Sequence, residues 1–264
     1  MNNTQLLIID PQFDFCNKEK GSLYVQGADQ DMERLASMIS RLENKFSKIH
    51  VSADHHCLFS IFFSGWWRNS LGHNPPPFTM ISVEDVENKV WVPVVPLLYD
   101  RSLRYVKALK AGGKYSLVIW PVHCRALTEG ATIDQKLMGA ISEWENNANV
   151  LNVITKGSSP YTENYSVFRA EVEDSNDPTT HLNTELLETL TDADEIVIAG
   201  EALSHCVASS VYDLIFELGD NLAKKLVFLT DASSSVTGFE HLGEKFLKDM
   251  VSKGMRLSTT KEYS

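Results

Sequence analysis

The sequence has little that would tie it to nucleic acid, a membrane or an oxidising compartment. Its 264 residues include 24 Lys or Arg against 35 Asp or Glu, a formal net charge of −11, and no basic cluster stands out. A phosphate-backbone partner needs such a cluster to release counterions, so nucleic acid is excluded as the main partner. No apolar run reaches the roughly 18 residues that a membrane span requires. The opening Met1-Asn2-Asn3-Thr4 leads into a short apolar strand rather than a basic segment and a signal-type apolar stretch. The chain is therefore expected in the cytoplasm, without a membrane partner. Cys16, Cys57, Cys124 and Cys206 are widely spaced with no C-x-x-C pair. That gives no support to a disulfide framework or zinc knuckle, and the four read as reduced thiols. Repeats and low-complexity tracts are lacking too. What is present is 43% apolar content, enough for one large core, and we expect one domain over 1–264.

Short runs rich in Val, Ile and Leu at 5–10, 48–52, 116–120, 150–156, 195–199 and 226–232 predict strands. Between and after them, apolar residues at helical spacing predict helices over 32–46, 98–109, 133–144, 182–190 and 241–250. Continuous apolar strands alternating with amphipathic helices predict an α/β fold, a parallel sheet covered on both faces. The stretch at about 57–115 breaks the pattern. Phe59 to Trp67 is dense in aromatic residues, and His73-Asn74-Pro75-Pro76-Pro77 cannot be helical. This insertion is read as a cover over a pocket or a contact with a neighbouring subunit, which keeps a homo-oligomer open. The 171–180 stretch reads as an acidic, mobile loop.

Chemistry-bearing residues fall at strand ends. The 195–199 run is followed by Gly200, a turn and the periodic Val207, Val211, Leu214, Ile215 and Leu218, which places Cys206 at a helix start. Unpaired amides and the macrodipole there favour a thiolate, so the expected direction of its pKa is downward. Alone, such a cysteine is more commonly a small packing residue, and the reading depends on partners. Asp10 closes the first strand and Lys156 the one at 150–156. The carboxyl ends of parallel strands share one crevice. An acid, a cation and a thiol together supply a base, a charge to stabilise the thiolate, and a nucleophile, which is what amide hydrolysis through a thioester needs.

A second constellation follows the 48–52 strand. Asp54 and His56 are two residues apart on extended backbone and project to one side, and His123 lies just past 116–120 as a third ligand. Two imidazoles and a carboxylate leave positions open for water or substrate. They suit one divalent metal ion, zinc in the first place, with iron or manganese as alternatives.

Leu7 to Cys16 with Gly21-Ser22-Leu23, Asp54-x-His56, Trp120-Pro121-Val122-His123-Cys124, Lys156-Gly157, Gly200-x-Ala202 to Cys206-Val207, and Leu229-Thr230-Asp231-Ala232 together resemble the nicotinamidase branch of the isochorismatase-like cysteine hydrolases. The resemblance implies a three-layer, doubly wound fold with a six-stranded parallel sheet in the order 3-2-1-4-5-6, and a catalytic triad of Asp10, Lys156 and Cys206. It further implies a cis peptide between Glu201 and Ala202, and an oxyanion hole from the backbone amides of Ala202 and Cys206. The substrate pocket it implies is lined by Phe13, Trp120, Tyr165 and Ala202, with a metal on Asp54, His56 and His123 binding the pyridine nitrogen. Two departures stand out. The chain between His56 and His123 is much longer than in short nicotinamidases, and only Ser60 stands where the family often has a further ligand, so water would complete the metal shell.

The expected activity is hydrolysis of nicotinamide or a similar small amide to the acid and ammonia, a step of NAD metabolism. One alternative keeps the Asp-Lys-Cys chemistry on another amide, carbamoyl compound or ester. Another, from a different class, is a metal- or ligand-binding scaffold without turnover. Isochorismate-type vinyl-ether hydrolysis is set aside because that branch does not rely on a cysteine nucleophile.

Overall fold

The computed structural model describes residues 3–42 and 44–264; Met1 and Asn2, the start of the N-terminal stretch read above, lie outside the described residues. The main sheet has six strands: β1 (Thr4–Ile9), β2 (Lys48–Asp54), β3 (Asn152–Lys156), β4 (Glu195–Gly200), β5 (Leu226–Leu229) and β6 (Arg256–Ser258). Their order is β3-β2-β1-β4-β5-β6, and every pairing is parallel. All six residues of β1 and five of the six in β4 are buried, as central strands must be when helices cover both faces.

The order 3-2-1-4-5-6 holds, but two strands are not those the apolar runs predict. The 116–120 run contributes nothing to this sheet. Its Leu117–Val118 pairs antiparallel with Met80–Ile81, because the preceding insertion supplies its own extended partner. The sixth strand is instead Arg256–Ser258, three residues too short and too exposed to carry a period.

The helices are α1 (Phe13–Cys16), α2 (Ala28–Arg41), α3 (Val83–Glu87), α4 (Tyr99–Gly112), α5 (Gln135–Glu145), α6 (Thr184–Thr191), α7 (Ala208–Leu218) and α8 (Glu240–Lys253). α2 and α5 pack on each other, burying Met32, Leu35 and Ile39 with Leu137, Ile141 and Trp144. Each of these is the apolar stripe of an amphipathic helix removed from water. Among the described residues no helix is long and apolar enough to cross a membrane.

The aromatic stretch turns inward. Phe62, Phe63, Trp66 and Trp67 are fully buried, and the indole N–H groups of Trp66 and Trp67 donate to Ser102 Oγ (3.0 Å) and Ile61 O (2.6 Å). Burying an indole without such an acceptor would strand its one polar atom. The acidic 171–180 segment folds back on itself, with Asp174 N donating to Thr180 Oγ1 at 2.9 Å.

The register sets up the site. Ile9 lies beside Gly200, and Asp54 beside Lys156. The strand order reverses between β1 and β4, so the segments leaving the carboxyl ends of β1 to β4 face one crevice.

Candidate active site

Asp10 is the first residue past β1. Its φ of 42° puts it in the left-handed region, which Asp tolerates better than most residues and which often marks a functional turn. Its N–H donates to Ser52 Oγ (3.0 Å), and the serine hydroxyl donates to Asp10 Oδ1 (2.6 Å). Lys156 Nζ stands 2.8 Å from Asp10 Oδ2 as an ion pair off the hydrogen-bond direction. The same ammonium donates to Asp54 Oδ1 (2.6 Å) and Asn164 O (2.7 Å), with Cys206 Sγ at 3.8 Å. Asp10, Lys156 and Cys206 are thus brought together, with no more than 6% of any of them exposed. Oxygens of Asp10 and Asp54 and the Cys206 sulfur all lie within 4.8 Å of one another, and the lysine ammonium occupies the position a cation would take among them.

Taking these charges out of water costs several kcal/mol per ion, and only close opposite charge offsets it. Burial works against the Lys156 ammonium, but Asp10 and Asp54 outweigh it and hold its pKa well above the usual value. Burial pushes Asp10 up to about 6, opposed by Lys156 and reinforced by Asp54. For Cys206 burial drives the thiol well up, with Lys156 opposing and the two carboxylates adding. The downward shift expected for Cys206 is therefore reversed. The helix-terminus argument assumes a solvated first turn, whereas Cys206 sits in a wide π-type turn, Leu203–Val207, buried against two acids. At neutral pH the proton rests on sulfur and Asp10 is ionised.

The second constellation also comes together, with ligand atoms of Asp54, His56 and His123 within 4.8 Å of one another. His56 Nδ1 donates to Gly157 O (3.0 Å), and His123 Nδ1 donates to Pro121 O (2.8 Å). Each bond fixes a tautomer and leaves Nε2 as the free nitrogen, the usual way an outer shell prepares a metal ligand. His56 Nε2 is buried with no hydrogen-bond partner, 3.4 Å from Asp54 Oδ2. That orphaned atom, two imidazoles and a carboxylate fit a divalent ion. Burial resists charge on His56, but Asp54 and Glu163 outweigh it and raise its pKa; burial lowers His123 to about 4. Gly157 has φ +74°, and a Cβ there would lie 2.6 Å from His56 Cε1. Only glycine lets the β3 end pass this imidazole.

Several supporting residues carry no sequence period and were not anticipated. The Gln12 side-chain amide clamps the Asp54 backbone, donating to its O (2.8 Å) and accepting from its N (2.7 Å). Asp14 Oδ2 accepts from Cys124 N (2.7 Å), tying down the turn that presents His123. Ser60, by contrast, donates to Cys57 O (2.8 Å).

A cavity of about 30 Å³, room for roughly one or two waters, lies among Trp120, His123, Glu163, Tyr165, Ala202 and Cys206. Trp120 Nε1 donates to Tyr165 OH at 2.9 Å. Phe13 is not in the lining; Phe15 takes that wall, its ring 5.3 Å from His123. Two residues along a helix point about 200° apart, so the neighbouring position faces the opposite way. Glu163 and His205 were also not anticipated, although nearness to Lys156 and Cys206 would have flagged both. Burial raises Glu163 to about 7 against the pull of His56, and lowers His205 to about 3. The peptide between Glu201 and Ala202 is cis, and Ala202 O accepts from His205 N (3.0 Å) and Val207 N (3.2 Å). Cys206, Asp54 and His123 therefore line one small cavity beside Phe15, Trp120 and Tyr165, with Asp10, Lys156 and His56 buried directly behind them.

No family model and no curated protein matches the sequence. Solved structures do match over nearly the whole chain. A nicotinamidase/pyrazinamidase from Acinetobacter baumanii is 20% identical, with 99% of this chain and 98% of that one covered, at a TM-score of 0.65. A pyrazinamidase from Pyrococcus horikoshii in complex with zinc is 18% identical, with 97% and 99% covered, at 0.56. An isochorismatase family protein from Desulfovibrio vulgaris is 16% identical, with 99% and 96% covered, at 0.53. The chain shares the isochorismatase-like hydrolase fold with these structural neighbours.

Proposed function

We propose that this protein is a metal-assisted cysteine amidohydrolase that converts nicotinamide or a similar small aromatic amide to the acid and ammonia. One observation carries the reading: a buried Lys156 ammonium in contact with the Asp10 carboxylate and 3.8 Å from the sulfur of Cys206, which lines a small cavity. The nicotinamidase and pyrazinamidase neighbours support it at the level of fold.

The protonation states suit this chemistry. Asp10 takes the thiol proton as Sγ attacks the amide carbonyl, and Lys156 neutralises the growing negative charge. The backbone amides of Ala202 and Cys206 hold the oxyanion, a contribution worth roughly 2.7–4 kcal/mol for one donor in comparable sites. Asp10 then returns its proton to the leaving nitrogen, the C–N bond breaks, and ammonia departs from a thioester. A water that loses its proton to Asp10 attacks this thioester, releasing the acid and restoring the thiol. Asp54, His56 and His123 would hold the metal, with zinc first among the candidates. When bound, the ion supplies a Lewis-acid contact for an electron-pair donor of the substrate. Trp120 and Tyr165 line the cavity beside it and would flank a flat ring, for which the space of about 30 Å³ between them and Cys206 must widen.

The roof over the metal cluster favours keeping a second reading, the same triad on another small amide, carbamoyl compound or ester. Phe62 and Phe63, from the long insertion, pack their rings 4.8 and 5.8 Å from the His56 ring. Ammonia release from a panel of amides, with metal analysis of the same protein, tests both. Nicotinamide turnover by the wild type and none by Cys206→Ala is the expected result. Tenfold or greater preference for a non-pyridine amide, about 1.4 kcal/mol, selects the second reading. Consumption of no compound leaves a binding scaffold.

A further inference from the structure

Behind the site lies a second acid pair that this reaction does not use. Glu201 is fully buried and directly precedes Ala202. Its N–H donates to Ile9 O at 2.7 Å, at the end of β1. Its Oε2 accepts from Ser234 N at 3.1 Å, while Oε1 has no hydrogen-bond partner of ordinary geometry. The same Ser234 donates its hydroxyl to Asp31 Oδ2 at 2.6 Å and accepts at its carbonyl from Leu203 N at 2.8 Å. Asp31 is 2% exposed, and its other oxygen is held by Arg34, whose Nε donates to Asp231 O at 2.6 Å. Two carboxyls from α2 and the β4 exit therefore converge on one serine that also holds the residue after Ala202.

The charge balance is uneven. Asp31 and Arg34 face Glu201 from α2, and the Cys16 thiol faces it from α1. Burial keeps that thiol protonated, so one guanidinium would have to serve two carboxylates in a dry space. A proton on Glu201 removes the repulsion and turns the pair into an acid donating to a carboxylate. Burial raises the pKa of both groups, Glu201 much the more.

We propose that Glu201 and Asp31 share one proton at neutral pH and that this pair braces the Ala202 end of the oxyanion segment, making Glu201 a positioning residue. The effect on rate rests on the amidohydrolase reading; the shared proton does not. Raising the pH until the proton leaves sets two buried carboxylates against each other and loosens Ser234 and Leu203. The amide of Ala202 then moves off its position, which lowers kcat more than KM.

Glu201→Gln keeps a donor toward Asp31 with no proton to lose, whereas Glu201→Ala removes it. At pH 7 the first is expected to retain kcat within about threefold and to lose the alkaline decline. The second is expected to lower kcat by ten- to a hundredfold, up to the scale of one lost oxyanion donor, with KM nearly unchanged. Infrared difference spectra of wild type minus Glu201→Gln at pH 7 are expected to show the C=O band of a protonated carboxyl. Melting temperature supplies a second readout free of turnover. An acid kept protonated by the fold costs stability progressively as pH rises above its unfolded value of 4.5, and Glu201→Gln should remove that slope. Absence of the band, or an unchanged alkaline decline in Glu201→Gln, overturns the proposal. A band and a flattened melting slope without turnover of any amide would retain the shared proton and refute the amidohydrolase reading instead.

Discussion

The strands β1, β2 and β3 carry polar side chains across both of their ends, and the two rows differ in kind. At the amino end, His50 Nδ1 accepts from Asn152 Nδ2 at 2.9 Å, so Nε2 carries the proton and donates to Gln5 Oε1, also at 2.9 Å. Gln5 Nε2 in turn donates to Thr189 O at 3.1 Å. Burial lowers His50 to about 4, so the row is neutral, and both ring nitrogens are satisfied. At the carboxyl end Asp10, Asp54 and Lys156 are charged, and His56 Nε2 has no hydrogen-bond partner. Where a polar row serves folding alone, neutrality and full pairing are the cheapest arrangement. A charged, incompletely paired row persists where reactivity needs it.

Breaking the charged row should have the largest effects. Cys206→Ala removes the proposed nucleophile and should lower kcat/KM by at least about ten-thousand-fold, with little change in melting temperature; retained turnover would remove the thiol from the mechanism. Lys156→Met leaves Asp10 and Asp54 facing each other without a counter-charge. Turnover should fall roughly 10²–10⁴-fold, and denaturant unfolding should show a loss of about 3–5 kcal/mol. Gly157→Ala pushes a methyl group against His56, and chelator competition should find metal held about 10–100-fold less tightly.

Two smaller effects sharpen the contrast. Since Asp10 must be ionised to act as the proposed base and sits at about 6, kcat/KM should fall about tenfold per pH unit below that value; an acid limb centred below pH 5 would disqualify Asp10. At the neutral row, the unfolded chain protonates His50 near 6.5 and the folded chain only near 4. Stability is therefore full above pH 6.5 and declines between 6.5 and 4, by up to about 3 kcal/mol. His50→Leu should remove this slope in urea titrations and lower stability at pH 7 by about 1–3 kcal/mol, with kcat/KM per folded molecule unchanged.

Much of this was legible beforehand. Runs such as Leu6-Leu7-Ile8-Ile9 and Ile196-Val197-Ile198-Ala199 declared buried strands, and the residues just past such runs supplied Asp10, Asp54 and Lys156. Less legible was anything without a local period. Leu117–Val118 has the composition of a sheet strand but is claimed by Met80–Ile81, and Arg256–Ser258 has hardly any apolar signal yet pairs with β5. Gln12, Glu163 and Glu201 matter through contacts at long sequence separation, which composition does not announce.

From its residues alone, this protein's alternation of strand and helix and the set of reactive side chains at strand ends were determined, because periodicity and strand termination are local properties of a chain. Only the tertiary structure decided that one lysine serves two aspartates, that Phe15 rather than Phe13 walls the chamber, and that the Cys206 thiol is raised rather than lowered. Desolvation and pairing depend on everything packed around an atom, and those neighbours come from every part of the sequence.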